Sequence, residues 1–384
     1  MVKSEISFKC PVCGNDNPRY LGMRNGKPYC RKCIIFRGDT AVEPEKHYMS
    51  SKIHLDYSLS VDQQRLSDEL VRNYISGIST LVHAVCGSGK TEIMLSTISY
   101  ALSNRLTVGF AVPRRDVVIE IFDRLKNIFK ENRVISVYGG HHDILTADII
   151  CLTTHQLFRY DHYFDLLILD EIDAFPYDEN DVLNAIFFRS IRGHFIQMSA
   201  TPSDKVLEFF KQDGYDIVSL NTRYHGHPLP VPYIINKKSV IRYYYLIKNL
   251  KRFEKNKKQV FIFTPTIDQC EKVFHIIKLF LKQVSFVHSK CKRRNWIISQ
   301  FKKGGIRMLV TTAVLERGVT VKDLQVIIFN ADHTLYDKAQ LIQISGRVGR
   351  KRDAPTGEVI YISERTTKAM QESIRDIKAA NRNL

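Results

Sequence analysis

Four of the eight cysteines stand in two close pairs near the start of the sequence: Cys10 with Cys13, and Cys30 with Cys33. Each pair encloses two residues, and sixteen residues separate the pairs. Zinc prefers four thiolates at the corners of a tetrahedron, which two such pairs on tight turns can supply, and Gly14 suits the first turn. Because four thiolates leave no open coordination position, the pattern predicts a structural zinc site, with a redox-active pair as the alternative.

A glycine-rich stretch that ends in a lysine and a threonine follows an apolar run. Its residues are Ala84, Val85, Cys86, Gly87, Ser88, Gly89, Lys90 and Thr91. Apart from Ala84, which replaces a glycine, this is the P-loop pattern, in which backbone N–H groups wrap phosphates at the start of a helix. Lys90 can reach the β and γ phosphates of ATP, and Thr91 can ligate Mg²⁺. An ordinary glycine-rich turn is the alternative.

An acidic motif comes directly after the apolar residues 166–169. It begins with Asp170 and Glu171 and ends with Asp173. Open α/β sheets bind ligands at the carboxyl ends of their strands, so we expect Asp170 to hold Mg²⁺ through water. Glu171 is then the candidate to orient and deprotonate the attacking water. Taken alone, this tetrapeptide is also a common surface sequence.

Two arginines near the end of the chain form a third candidate for chemistry on phosphate. Arg347 and Arg350 are three residues apart and follow Gln343. We expect the two arginines to share one face of a helix, where they can stabilise the charge on a transferring phosphoryl group. A helix on a basic surface is the competing interpretation.

The elements that must position these residues alternate between apolar runs and helical stretches from about residue 59 onward. Such alternation is typical of parallel sheets covered on both faces, so the predicted fold class is α/β. Residues 226–232 contain three prolines and a glycine, which we interpret as a linker. The expected domains are residues 1–50 (zinc module and connector), 51–225 (ATP-binding) and 226–384 (C-terminal and basic).

The positive charge is concentrated in the last two fifths of the chain. The formal net charge is +17, made up of +4 in residues 1–50, −6 in residues 51–225 and +19 in residues 226–384. A basic domain beside an acidic one indicates a polyanionic partner, most often nucleic acid, although a solvated basic face is the alternative. For residues 251–258 we favour the solvated face, and for Trp296, the only tryptophan, we favour core packing.

The composition excludes a wholly disordered, collagen-like or coiled-coil chain, since 44% of the residues are hydrophobic and 25% are charged. No apolar run reaches the roughly 18–20 residues that span a bilayer. The first residues carry no secretory signal. We therefore expect a cytoplasmic protein without a transmembrane segment.

Taken in order, these motifs resemble those of superfamily 2 helicases and translocases. Three further stretches fit the resemblance: an adenine-reading glutamine motif with Gln63, a coupling tripeptide of Ser199, Ala200 and Thr201, and a fifth motif over residues 311–320 with Gly318. The resemblance implies two tandem RecA-like domains behind the four-cysteine module, with ATP and Mg²⁺ as cofactors. It also implies that Gln343, Arg347 and Arg350 complete the ATP site when the two domains close.

Within this superfamily, the chain resembles the ComFA family of competence ATPases. Four stretches behind an N-terminal four-cysteine module carry the resemblance: residues 113–118, 154–157, 170–176 and 315–320. The resemblance implies an ATPase that depends on single-stranded DNA and helps to take up transforming DNA. It further implies a place at the inner face of the membrane, with ComFC and the DNA-uptake channel as partners; a homo-oligomer is possible.

The nucleic-acid contacts are expected on both domains. The candidates are Arg114, Arg115, Gly139, Gly140, Thr154, Thr264 and Thr311. Each of them is also an ordinary strand-end or capping residue. The sixth motif begins Gln-Ile-Ser-Gly, whereas RNA-acting DEAD-box proteins typically have His-Arg-Ile-Gly, which favours DNA over RNA. A PriA-like replication-restart or repair helicase, and a clamp whose ATP cycle only switches nucleic-acid binding, are the alternatives.

Overall fold

The computed structural model describes residues 8–43, 49–85, 87–174, 176–177, 180–220, 223, 226–312 and 321–382. The chain divides into two compact units. The first comprises Met1–Ala84 and Lys90–Leu220, and the second comprises Val85–Gly89 and Asn221–Leu384. Each unit contains one large parallel sheet, and the four-cysteine module belongs to the first unit.

The four-cysteine module is built around a small hairpin. A 3-10 helix, Pro18–Tyr20, leads into β1 (Leu21–Arg24), which pairs in antiparallel register with β2 (Lys27–Cys30). The two turn residues, Asn25 and Gly26, have positive φ of 49° and 74°. A two-residue turn of this kind matches the twist of a hairpin. The hairpin therefore returns the chain so that the second cysteine pair meets the first.

The sheet of the first unit has seven strands. They are β3 (Thr80–Ala84), β4 (Val108–Val112), β5 (Val134–Val137), β6 (Ile149–Thr153), β7 (Phe164–Leu169), β8 (Ile191–Ser199) and β9 (Asp216–Leu220). Their order is β5-β6-β4-β7-β8-β3-β9, and every pairing between neighbours is parallel. Strands β4 and β6 are buried along their whole length, as expected for a parallel sheet with both faces covered.

Five helices and a 3-10 helix cover this sheet. They are α1 (Val61–Ile75), α2 (Lys90–Ser103), α3 (Arg115–Ile128), α4 (Asp181–Ser190), α5 (Asp204–Gln212) and the 3-10 helix Thr154–Arg159. Polar caps start three of them, because the side chains of Ser60, Asn180 and Ser203 accept hydrogen bonds from the first turns of α1, α4 and α5. The apolar side chains form two buried clusters, one of which includes the four cysteines.

The second unit repeats the architecture with six parallel strands and five helices. The strands are β10 (Tyr233–Asn236), β11 (Gln259–Phe263), β12 (Val284–Val287), β13 (Met308–Thr311), β14 (Leu324–Phe329) and β15 (Val359–Ser363). The helices are α6 (Ile241–Lys255), α7 (Ile267–Lys278), α8 (Arg294–Lys302), α9 (Lys338–Ser345) and α10 (Lys368–Asn381). The strand order is β10-β15-β14-β11-β13-β12. The prediction of two RecA-like parallel-sheet domains with a four-cysteine cluster is confirmed.

Two local expectations are wrong. Trp296 does not pack in the core but is 59% exposed, because α8 covers the sheet through Phe301, Ile297 and Ile298 instead. Arg347 and Arg350 do not share a helical face, because α9 ends at Ser345. The backbone of Gly349 has a φ of 71°, which cannot continue an α-helix. Both arginines therefore lie in a turn that follows α9.

Candidate nucleotide site and nucleic-acid interface

The P-loop joins β3 to α2, as the sequence predicts. Strand β3 ends at the fully buried Ala84, and α2 begins at Lys90. Gly87 and Gly89 have φ of 84° and 82°, a left-handed conformation that side chains disfavour. Successive turns of this kind point backbone N–H groups toward the start of a helix, where phosphate binds. Cys86 lies outside the described residues.

The P-loop lysine meets the acidic motif. Lys90 Nζ lies 3.9 Å from Asp170 Oδ1, and both side chains are largely buried, at 16% and 15% exposure. Asp170 directly follows β7, which places it at the carboxyl edge of the sheet beside the P-loop. Two side chains that the sequence assigned to phosphate and to Mg²⁺ are therefore adjacent in the fold. A charged pair at this depth is suited to a ligand that carries both phosphate and a cation.

Glu171 occupies a strained backbone position. Its φ is 60°, which is uncommon for a residue with a long side chain. Its N–H donates to Asp170 Oδ1 over 2.8 Å, which ties the two acidic residues together. Strain of this kind persists when the surrounding structure fixes it, and it concentrates at functional sites. The hydrogen bond and the backbone conformation thus fix the backbone of Glu171 relative to the carboxylate of Asp170.

The acidic motif also contacts the coupling tripeptide. Thr201 Oγ1 donates to Asp173 Oδ2 over 2.8 Å, and the Thr201 N–H donates to Ser199 Oγ over 2.9 Å. Burial keeps the pKa of His83, on β3, below its usual value, although its imidazole donates to the backbone of Ala200. Sequence reasoning gave Asp173 no role, although it ends the acidic motif. Contacts therefore link the coupling tripeptide to Asp173, the last residue of the acidic motif.

Gln63, the predicted adenine reader, is part of the cap of α1. Its Oε1 accepts from the N–H of Ser60 over 3.0 Å, and its own N–H donates to Ser60 Oγ over 3.3 Å. The side chain is buried. This capping box orients the glutamine, and its role toward adenine stays a prediction.

A polar trio around the buried Glu92, beside the P-loop helix, was missed by sequence reasoning. Tyr57 Oη donates to Glu92 Oε1 over 2.8 Å, and Arg124 contacts Glu92 and donates to Tyr57 Oη over 3.3 Å. Burial lowers the pKa of Arg124 from its ordinary value. Glu92 directly follows Thr91 in the sequence, and this position next to the P-loop is the feature that could have identified it as a candidate. The trio joins α2 to α3, the helix that starts at the predicted nucleic-acid residue Arg115.

Four nucleic-acid candidates of the first unit lie on accessible turns. Arg114 caps α3 and Arg115 begins it. Gly139 and Gly140 form a turn between Tyr138 and His141, whose backbones pair and whose rings stack 4.9 Å apart. The Arg115 guanidinium lies 4.6 Å from the centre of the Tyr138 ring. These contacts bring Arg115 and the glycine turn together.

The three threonine candidates are buried. Thr154 begins the 3-10 helix, and Thr264 and Thr311 lie at the carboxyl ends of β11 and β13. Thr264 donates through both its N–H and its hydroxyl to the carbonyl of Thr311, over 2.8 and 3.2 Å. The structure thus joins Thr264 and Thr311 within the second unit. Their part in nucleic-acid binding, and that of Thr154, stays a prediction.

The sixth motif surrounds a turn held by arginines. Gln343 and Arg347 are buried, and Arg350 Nε donates to the carbonyl of Gly346 over 3.2 Å. Arg223, which sequence reasoning missed, donates to the carbonyls of three residues of this turn over 2.8 to 3.1 Å: Gly346, Val348 and Gly349. Most of the fifth motif, including Gly318, lies outside the described residues.

The four cysteines of the module converge on one point. Sγ of Cys10 lies 3.5 Å from that of Cys33, and Sγ of Cys13 lies 3.8 Å from that of Cys30. All four ligand atoms lie within 4.8 Å of one another. These distances exclude disulfides, whose sulfurs are about 2.05 Å apart. Zinc–sulfur bonds of about 2.3 Å place tetrahedral sulfurs about 3.8 Å apart, so the cluster has the size of a zinc site.

No helix within the described part of the chain combines the length and apolar character needed to cross a bilayer.

The model of the DEAD/DEAH box helicase family matches residues 62–209, and that of the helicase conserved C-terminal domain matches residues 241–352. Among solved structures, the chain is similar to Dbp5 of S. cerevisiae bound to RNA and ADP BeF3, with a TM-score of 0.63 and 16% identity over 85% of this chain and 93% of that one. At this identity the similarity concerns the fold alone.

Two curated relatives are similar over nearly the whole length. Competence protein ComFA of Bacillus subtilis (strain 168) is 32% identical, over 97% of this chain and 86% of the relative. Competence protein ComFA of Streptococcus pneumoniae is 31% identical, over 100% of this chain and 92% of the relative. With two helicase domains, a P-loop paired with an acidic motif and a four-cysteine cluster in front of them, the chain belongs to the ComFA family of superfamily 2 helicases.

Proposed function

We propose that this protein is an ATPase stimulated by single-stranded DNA that moves along single strands during the uptake of transforming DNA. The observation that carries the proposal is the 3.9 Å approach of Lys90 to Asp170, which joins the P-loop to the acidic motif. The relatives named ComFA and the two helicase domains support an ATP-dependent helicase that acts in competence.

The residues present fit Mg-ATP. Thr91 and Asp170 would hold the cation, which supplies charge neutralisation on the phosphates. Lys90 has its ammonium beside Asp170, where it can bind the β and γ phosphates. Glu171 orients the attacking water and accepts its proton. Arg347 and Arg350 supply positive charge to the transferring phosphoryl group.

The glycine turn supports nucleic acid as the polymer. A Cβ built on Gly139 would have no neighbour within 4 Å, and Gly139 is absent from the residues with positive φ. Neither packing nor backbone conformation therefore requires glycine at this position. The absence of a side chain on this exposed turn leaves room for the backbone of a bound polymer. Arg115 lies near the turn, because its guanidinium packs on the ring of Tyr138, the residue before Gly139. We infer that a phosphate backbone passes over Gly139 and Gly140.

The cysteine cluster fits zinc as a structural ion. Burial raises the pKa of Cys13 to about 11 and raises that of Cys33 as well, so thiolates at these two positions are unfavourable without a cation. A chelator, or Cys33→Ser, is expected to release one zinc per chain and to lower the melting temperature by several degrees. Cys151→Ser, at a buried cysteine outside the cluster, controls for the loss of a thiol. Unchanged zinc content in Cys33→Ser would remove the assignment.

The family suggests the setting of this activity. We propose ComFC and the DNA-uptake channel as partners, a homo-oligomeric assembly, and a peripheral position at the inner face of the membrane. The contrast in charge between residues 51–225 at −6 and residues 226–384 at +19 supports a polyanionic partner for the C-terminal part.

The test is the ATPase rate without polymer and with single-stranded DNA, duplex DNA or single-stranded RNA, at two salt concentrations. We expect single-stranded DNA to stimulate strongly, and affinity to fall with salt at about −0.7 per neutralised phosphate on a log–log plot. Equal or greater stimulation by RNA would overturn the DNA assignment. The same rates with added ComFC would show whether a partner gates the ATPase if no polymer stimulates it alone.

A further inference from the structure

An exposed apolar pair beside basic helix ends lies on the second unit, away from the residues assigned to ATP and DNA. Leu279 and Phe280 follow α7 and are 80% and 52% exposed. Lys251, on α6, places its Nζ 5.5 Å from the centre of the Phe280 ring. The end of α6 and the end of α7 therefore form one surface. Exposed apolar side chains in such a setting mark a surface that contacts something else.

Six exposed lysines occur at this end of three helices. They are Lys251 and Lys255 on α6, Lys278 and Lys282 at the end of α7, and Lys302 and Lys303 at the end of α8. Within the described part of the chain, none of the six forms an ion pair. By contrast, Lys258 and Lys322 in the same region pair with Asp323 and Asp353. Glu254 is the one carboxylate on α6 near these lysines.

The topology of the sheet places these lysines at the edge opposite to the predicted DNA residues. Helices α6, α7 and α8 end just before β11, β12 and β13, which are neighbours in the sheet. The lysines therefore lie at the amino ends of the strands. Thr264 and Thr311 lie at the carboxyl ends. Five residues of β11 separate the two edges by about 16 Å, at about 3.3 Å per residue.

We propose that one surface, formed by the Leu279–Phe280 pair and the four lysines at the ends of α6 and α7 (Lys251, Lys255, Lys278 and Lys282), binds the anionic interface of a phospholipid bilayer. Unpaired lysines are attracted to anionic headgroups, and an exposed leucine and phenylalanine can enter the headgroup region. A phosphate backbone of nucleic acid would match the lysines but would leave Leu279 without a partner, since leucine has no ring on which a base can stack. The proposal rests on the peripheral membrane position proposed above and assigns residues to it.

The test is cosedimentation of the full chain with vesicles of phosphatidylcholine alone or with about 30% phosphatidylglycerol. We expect binding to the anionic vesicles only, weakened by salt. Leu279→Ser with Phe280→Ser, and separately Lys278→Glu with Lys282→Glu, should each weaken vesicle binding about tenfold or more. The matched controls are Ile75→Ser, at an apolar side chain 56% exposed, and Lys205→Glu with Lys211→Glu, on exposed positions of α5. The controls should bind vesicles as the unchanged chain does.

Single-stranded DNA binding, measured on the same variants, separates the two polyanions. Unchanged DNA affinity with lost vesicle binding supports the lipid surface. Vesicle binding that survives in both double variants overturns the proposal. So does a loss of DNA affinity in Lys278→Glu with Lys282→Glu, since the lysines would then belong to the nucleic-acid path. Absence of DNA stimulation in the unchanged chain would contradict the proposed motor while leaving the vesicle result interpretable.

Discussion

The nucleotide corner of the first unit and the sixth-motif turn of the second unit are organised in different ways. In the first unit, functional side chains contact one another: Lys90 contacts Asp170, and Thr201 contacts Asp173. In the second unit, arginines donate hydrogen bonds to backbone carbonyls. Arg350 contacts the carbonyl of Gly346, and Arg223 contacts the carbonyls of three residues of the turn. The first arrangement positions charged groups for a ligand. The second holds, through Arg223, the backbone turn that carries Arg347 and Arg350.

The difference predicts unequal consequences for substitutions. Removing a member of the first unit's network should disable nucleotide binding or hydrolysis directly. Removing an arginine of the second unit should leave nucleotide binding intact and slow the chemical step. Four substitutions test this contrast, in the order of their expected effects.

Lys90→Ala should abolish ATP turnover, because it removes the ammonium that binds the β and γ phosphates and breaks the ion pair with Asp170. We expect a loss of at least about 1,000-fold in kcat/KM together with weak nucleotide binding. Lys205→Ala, at an exposed lysine of α5, is the matched control. Turnover near the unchanged rate would remove the P-loop assignment.

Glu171→Gln should retain ATP binding and lose hydrolysis by about 100-fold or more, because a carboxamide cannot accept the proton of the attacking water. Nucleotide affinity by fluorescent ATP titration and the single-turnover rate measure the two effects separately. Glu208→Gln, on the exposed face of α5, serves as control. A variant that hydrolyses ATP normally would show that another group acts as the base.

Arg350→Ala should lower kcat by about 10- to 100-fold with nucleotide affinity nearly unchanged. An arginine that acts only on the transferring phosphoryl group contributes to the transition state and not to ground-state binding. Arg365→Ala, at an exposed position after β15, is the comparison. An unchanged kcat would confine Arg350 to the conformational role that its bond to Gly346 shows.

Thr201→Val should have the smallest effect on basal turnover. It removes the hydroxyl that donates to Asp173 while keeping the volume of the side chain. We expect a loss of about tenfold in stimulation by single-stranded DNA, since a hydrogen bond to a carboxylate contributes about 1.5 kcal/mol. Asp173→Asn and the double variant complete a mutant cycle. Additive effects would show that this bond does not couple the two motifs.

Much of the fold was readable from the sequence because buried parallel strands form long apolar runs. Strands β4, β6, β7, β11 and β14 were identified from such runs. Strands β5, β9, β10 and β15 were not identified: each has four or five residues, and β5, β9 and β10 are edge strands that are only partly buried. A short, half-exposed strand carries too few apolar residues to stand out from a loop.

The site was predictable in its members but not in its contacts. Sequence motifs contain Lys90, Asp170 and Thr201, so residue type and order along the chain were enough to identify them. Arg223 could not be found, because its partners are backbone carbonyls more than 120 residues away that no side-chain pattern marks. The turn after Ser345 was missed for a related reason. Gly349 has a positive φ, and the backbone of Pro355 lies too close for any Cβ at that position.

The most direct test of the central claim is ATP-driven displacement of streptavidin from the biotinylated end of single-stranded DNA. We expect the unchanged chain to displace streptavidin at a rate that requires hydrolysis, and Glu171→Gln to bind the strand without displacing it. Displacement from one end only would also give the direction of movement. DNA-stimulated ATP turnover without displacement from either end would contradict translocation and indicate a clamp whose ATP cycle switches binding.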